Sequence, residues 1–261
     1  MSKILSLIFL LGLGFNVLAQ ESFDQYLAKT YHSEDDSLNY RILYPENFDE
    51  NKEYPLVLFL HGAGERGDHN QKQLFHGGQL FIDYQDEFPA IVVFPQCPTG
   101  GYWSNVNIKS ENGKRTFHFD DEGNEPPTKS LSLVMELLDS MVSLKFTNQQ
   151  RVYVAGLSMG GMGTFELVSR KPDTFAAAIA ICGGDNPVSA KSYAGKVPFW
   201  IFHGRKDDIV PPENSEIMAE AIEQAGGEVK LTIYPEANHN SWDSAFAEPE
   251  FLPWLFSKQR N

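Results

Sequence analysis

Arg151-Val152-Tyr153-Val154-Ala155-Gly156-Leu157-Ser158-Met159-Gly160-Gly161 is the stretch that decides the fold. Residues 151–155 are apolar and β-branched, the composition of a strand buried on both faces. A G-x-S-x-G run follows at once, and residues 161–170 read as a helix. A strand that turns sharply into a helix holds the apical serine in strained backbone and presents its hydroxyl at the end of the sheet. A side chain at 156 or 160 would collide with its neighbours, and glycine removes that collision. Ser158 is therefore the candidate nucleophile.

Outward from this turn, strand and helix signals alternate. Residues 39–44 read as a strand ended by Pro45, followed by apolar runs at 56–60, 90–95, 152–157, 175–182, 197–203 and 229–234. Helical periodicity appears at 131–146, 164–170 and 215–225, the last ending in Gly226-Gly227, with a closing helix at 249–256. This alternation predicts an α/β fold, a doubly wound and mostly parallel sheet with helices on both faces. The first strand is expected to pair antiparallel at the edge. At 261 residues the chain suits one domain, expected over 20–261.

A serine nucleophile needs a base, and the base needs an orienting carboxylate. His203-Gly204-Arg205-Lys206-Asp207-Asp208 follows the strand at 197–203, and Asn238-His239-Asn240 follows the strand at 229–234. Both groups leave the same edge of the sheet as Ser158, where open α/β sheets build their sites. Of seven histidines, His61 and His203 sit at strand ends where a structural hydrogen bond is the simpler role, and His239 is the candidate base. Asp207 and Asp208 are adjacent and cannot both face the imidazole. Asp207 fits the spacing H-G-x-x-D-x-x-V-P, Asp208 is left solvated or capping the next helix, and Glu236 is a weaker third candidate.

Residues 100–127 interrupt the pattern. They carry Trp103, Phe117, His118, Phe119 and the acids Asp120, Asp121, Glu122 and Glu125, and read as an insertion near the site mouth. The acids lack the spacing of a calcium loop, so a solvated acidic loop is the simpler reading. Trp103 and Trp242 are candidate substrate-binding platforms, and Trp242 has core packing as an equal alternative.

Composition narrows the function classes. The chain is 42% apolar, 13% aromatic and 21% charged, the values of a globular protein. A net charge of −14 argues against nucleic acid or an anionic membrane as partner. Lys3, the apolar run 4–15 and Val17-Leu18-Ala19 have the pattern of a cleavable secretory leader over residues 1–19, with no membrane anchor, hence a periplasmic or secreted location. Cys97 and Cys182 follow strands expected to be separated by two others, too far apart to bridge, and are expected as free buried thiols.

Taken in order, H-G-A-G-E-R-G, F-P-Q-C-P, G-L-S-M-G-G-M-G, H-G-R-K-D-D-I-V-P and N-H-N-S-W-D resemble the α/β-hydrolase superfamily over about residues 38–257. Within it, the chain resembles secreted esterases related to polyhydroxybutyrate depolymerases and feruloyl esterases, and the prolyl oligopeptidase-like peptidases. The resemblance implies a serine carboxylesterase using Ser158, His239 and Asp207, with the amides of Ala63 (Gly64 as alternative) and Met159 as oxyanion donors. It requires no metal or organic cofactor. The implied substrate is a small or polysaccharide-linked ester, with acetyl and feruloyl esters favoured. A serine peptidase, a phospholipase and a catalytically silent binding module remain as alternatives.

Overall fold

The computed structural model describes residues 23–119 and 125–260. The expected leader at 1–19 and most of the acidic run at 120–125 lie outside the described residues. Ten strands are present among them: β1 (Leu27–His32), β2 (Ser37–Leu43), β3 (Tyr54–Leu60), β4 (Ile91–Pro95), β5 (Val106–Glu111), β6 (Lys114–Phe119), β7 (Thr147–Leu157), β8 (Ala177–Ile181), β9 (Phe199–Gly204) and β10 (Val229–Tyr234). Eight of them form one sheet in the order β1-β2-β4-β3-β7-β8-β9-β10. Pairing is antiparallel at β1·β2 and β2·β4 and parallel from β4 to β10.

The continuous apolar runs are explained by burial on both faces. Leu56, Leu58 and Leu60 of β3 face one core with Val152 and Val154 of β7, beneath helices α2 (Lys129–Val142), α3 (Met159–Arg170) and α5 (Glu213–Gln224). Val57 and Phe59 face the other core with Tyr153, Ala155 and Leu157, beneath α1 (Gly78–Asp83) and α7 (Phe251–Ser257). Two short helices, α4 (Ala190–Tyr193) and α6 (Trp242–Phe246), complete the layers. Each large side chain fully withdrawn from water contributes roughly 1.5–3 kcal/mol before chain entropy is charged against it. No helix among the described residues is long and apolar enough to cross a membrane.

Three elements depart from the sequence reading. The first sheet strand is β1, an almost wholly exposed edge strand without an apolar period, so the strand read at 39–44 lies second from the edge. The insertion contains the antiparallel hairpin β5–β6, whose residues are too exposed to show a buried face. Helix α2 begins at Lys129, where the Thr128 hydroxyl accepts a bond from Leu131 N at 3.1 Å, and stops at Val142. Phe146 is drawn out of the helix into an aromatic cluster with Tyr44 and Phe48.

The tight packing of α3 onto the sheet depends on two glycines. A Cβ at Gly160 would lie 1.9 Å from Leu60 O, and one at Gly156 would lie 2.3 Å from Gly160 O. Cys97 and Cys182 are free and buried, after β4 and β8, which β3 and β7 separate as expected.

Candidate active site

Ser158 stands between β7 and α3 with φ 53° and ψ −117°, the left-handed side of the map that a non-glycine residue rarely occupies. Two backbone bonds hold this strained turn: Ser158 N donates to Ile181 O at 2.8 Å, and Met162 N donates to Ser158 O at 3.0 Å. The side chain is partly exposed at the carboxyl end of the sheet.

His239, on the loop after β10, brings Nε2 to 3.0 Å from Ser158 Oγ. Its Nδ1 lies 2.8 Å from Asp207 Oδ2 on the loop after β9. The carboxylate fixes the proton on Nδ1 and leaves the Nε2 lone pair facing the hydroxyl. Asp207 Oδ1 accepts from Ile209 N and Val210 N, each at 2.9 Å. Burial raises the carboxyl's proton affinity, but bonds from His203 and His239, the nearby His239 ring and the Val210 amide outweigh it and hold Asp207 well below the usual carboxylate range. Asp208 points to solvent, and Glu236 is paired with Lys206. The three residues read from the sequence are thus in one hydrogen-bonded line.

The two expected oxyanion donors flank Ser158. Met159 is the first residue of α3, where a helix leaves its leading amides without internal partners. Ala63 opens the 3-10 turn Ala63–Glu65 after β3, and neither amide donates to a backbone carbonyl among the described residues. Arg66 braces this turn, donating from Nε to Ala63 O at 2.9 Å and from Nη1 to Gly101 O at 3.2 Å. His61 beneath it is a satisfied core histidine. It accepts Cys97 N on Nε2 at 2.9 Å and meets Gly62 O through Nδ1 at 2.6 Å, and burial lowers its pKa to about 4.

The structure corrects the placement of Trp103. Its side chain is fully buried, packed edge-on against His61, and its Nε1 donates to His61 O at 3.1 Å. An indole enclosed in the core offers no face to a ligand, so Trp103 supports the turn from beneath. Trp242 is partly exposed, and its ring centroid lies 5.4 Å from that of His239 and 5.1 Å from that of His76. The hairpin reaches the same end of the sheet: Phe119 Cζ lies 3.5 Å from where a Gly184 side chain would begin.

Two contacts were hidden from sequence reasoning. The fully buried His203 places Nε2 at 3.1 Å from the same Asp207 oxygen and at 2.9 Å from Val210 O. Its Nδ1 meets Ser215 Oγ at 2.7 Å. The spacing H-G-x-x-D holds the signal, since a strand-end histidine four residues before an acid can fold back onto it. Cys182 Sγ also lies with ligand atoms of Asp207 and His239 inside 4.8 Å, the one potential metal-ligand cluster among the described residues. Burial above all, then the Asp207 charge, pushes its thiol far above the usual range, while Asp207 and His239 are already bonded to each other.

A buried carboxylate, an imidazole and a strained serine hydroxyl stand in line on a fold of the α/β-hydrolase class. The chain belongs to the Phospholipase/Carboxylesterase family, whose pattern it matches over residues 47–250. A solved thermostable esterase superposes with a TM-score of 0.81 at 32% identity, covering 92% of this chain and 64% of that one. A bifunctional acetylxylan esterase/xylanase of Neocallimastix patriciarum is 30% identical over 64% of this chain, which spans only 21% of that longer protein. Feruloyl esterase B of Thermothelomyces thermophilus is 27% identical over 81% of this chain and 78% of its own length.

Proposed function

We propose that the chain is an exported serine carboxylesterase that cleaves acetyl or feruloyl groups from carbohydrate-linked esters. The observation that supports it most is the line Ser158 Oγ–His239 Nε2 at 3.0 Å and His239 Nδ1–Asp207 Oδ2 at 2.8 Å. In this reading Ser158 attacks the ester carbonyl as His239 takes its proton, and Asp207 holds the ring and balances the imidazolium. The amides of Ala63 and Met159 receive the oxyanion. His239 then protonates the departing alcohol, and water, deprotonated by the same ring, releases the acid from the acyl-serine. The residue pattern at 1–19 supports export through a cleavable leader.

The test is a substrate panel of p-nitrophenyl acetate, methyl ferulate, an acetylated methyl xyloside, a phospholipid and an aminoacyl anilide, with fluorophosphonate labelling alongside. Turnover of the first three is expected, with labelling lost in Ser158→Ala. Turnover of the anilide or the phospholipid alone would replace this reading with a peptidase or a phospholipase. Labelling that persists in Ser158→Ala would remove the nucleophile assignment.

A further inference from the structure

Glu65 closes the 3-10 turn that carries the oxyanion candidate Ala63, and its side chain is only 13% exposed. The point where a Gly62 Cβ would stand lies 2.9 Å from Glu65 Oε2 and 3.7 Å from Ser158 Cβ. The carboxylate therefore lies beside the nucleophile, and glycine at 62 is what lets it come so close. Arg66, next in sequence, donates to Ala63 O and Gly101 O and forms no ion pair with Glu65. The nearest cationic or imidazole nitrogen among the described residues is His76 Nε2, at 3.8 Å from Oε1, too long for a hydrogen bond. The half-buried Glu65 carboxylate therefore keeps acceptor capacity for a ligand at this wall.

The surroundings supply the side of the ester that this wall faces. The His76 ring lies against Trp242, and Trp242 lies against His239. His239 must hand its proton to the leaving oxygen, so the alcohol departs on the side of the site that this ring faces. Glu65, His76 and Trp242 form a continuous wall there, with the 61% exposed Phe75 next to His76. A carboxylate accepts from two neighbouring hydroxyls at once, the imidazole adds a donor or acceptor, and an indole face suits the C–H surface of a pyranose.

We infer that Glu65, His76 and Trp242 form the subsite for the leaving alcohol, and that this alcohol is a sugar with free hydroxyls adjacent to the esterified one. The inference rests on the esterase reading above. It is tested by kcat and KM for Glu65→Ala and Glu65→Gln on a monoacetylated methyl xyloside and on p-nitrophenyl acetate, whose leaving group has no vicinal hydroxyls. Thermal unfolding of each variant provides the check on folding.

The ratio of kcat/KM on the sugar ester to that on p-nitrophenyl acetate is expected to fall about 10- to 100-fold in Glu65→Ala, through KM more than kcat. Glu65→Gln keeps one acceptor oxygen and is expected to fall between the two. An unchanged ratio in Glu65→Ala overturns the subsite. A wild-type enzyme that cleaves p-nitrophenyl acetate but not the sugar ester overturns this inference and leaves the esterase reading standing. One that cleaves neither overturns both.

Discussion

His203 and His239 converge on a single oxygen of Asp207, at 3.1 Å and 2.8 Å from Oδ2, while Oδ1 is taken by two backbone amides. Four donors thus fix the carboxylate that orients His239, and one of them is a fully buried imidazole. His203→Phe would strip that donor and leave Ser215 and Val210 O without their ring partner. Breaking such a bond costs about 1–3 kcal/mol, or several degrees of Tm in a chain of this size. We expect kcat to fall about tenfold or more with KM little changed, and His203→Gln, which keeps a donor, to recover part of it. An intact kcat in His203→Phe would show that His239 and the two amides suffice to hold Asp207.

Asp207→Asn tests the orienting role directly. An amide in place of the carboxylate no longer fixes the proton on His239 Nδ1 or balances the imidazolium, and kcat is expected to fall by about three to four orders of magnitude. Linkage adds a signature in stability. Because the folded carboxyl is held below its ordinary value, it contributes stability that is present above an ordinary carboxyl pKa and is lost as pH falls toward its folded value. Acid unfolding followed by circular dichroism should show this limb in the wild type and its loss in Asp207→Asn.

The central strands and the Ser158, Asp207 and His239 line were legible because each is a local pattern. An apolar run marks a strand buried on both faces, and strand ends bring their loops to one rim. Trp103 was misplaced because an aromatic residue in an insertion has the same sequence signal whether it faces a ligand or His61 O. The edge strand β1 and the hairpin β5–β6 carry no apolar period, so only their pairing partners reveal them. His203 reads from sequence only as a strand-end hydrogen-bonding histidine, although its spacing to Asp207 holds the signal. Glu65 was invisible as a site residue because its significance lies in distances across loops. No spacing rule specifies that Gly62 leaves room for a carboxylate beside Ser158.

Gly160→Ala should be among the most damaging single-methyl additions in this chain. The new Cβ would lie 1.9 Å from Leu60 O, a backbone atom of the central strand that cannot yield. Pushing α3 off the sheet would displace Met159 and Ser158 together, at a cost of about 3 kcal/mol or more. Gly64→Ala is the matched control, since nothing stands within 4 Å of its added methyl. Soluble yield and denaturant midpoints of the pair measure the difference, and equal midpoints would mean that the helix relaxes freely.

Trp103→Phe should separate support from recognition. It removes the Nε1 bond to His61 O and part of a buried ring, for a loss of about 1–3 kcal/mol. Relative rates on acetyl and feruloyl esters are expected to stay as in the wild type. Trp242→Ala, on the exposed wall beside His239, is expected to change those relative rates with a smaller loss of stability. A selectivity change in Trp103→Phe would return that residue to the site.

Asp185 gives stability a second pH limb, opposite in sign to that of Asp207. It lines a cavity of about 710 Å³ with Asn105, Glu166 and Arg170, and burial raises its carboxyl to about 7 despite bonds from Ser189 and the Asn186 amide. Between an ordinary carboxyl pKa near 4 and about 7, the unfolded chain has released this proton and the folded chain still holds it. The folded state therefore binds more protons, and stability falls as pH rises through that window, by at most about 1.4 kcal/mol per pH unit. Asp185→Asn presents a neutral group at every pH, so its Tm should decline less between about pH 5 and 7.5 and exceed that of the wild type at the upper end. Parallel Tm curves for the two proteins would show that the Asp185 proton is gone well below pH 7, with water or Arg170 stabilising the carboxylate in that cavity.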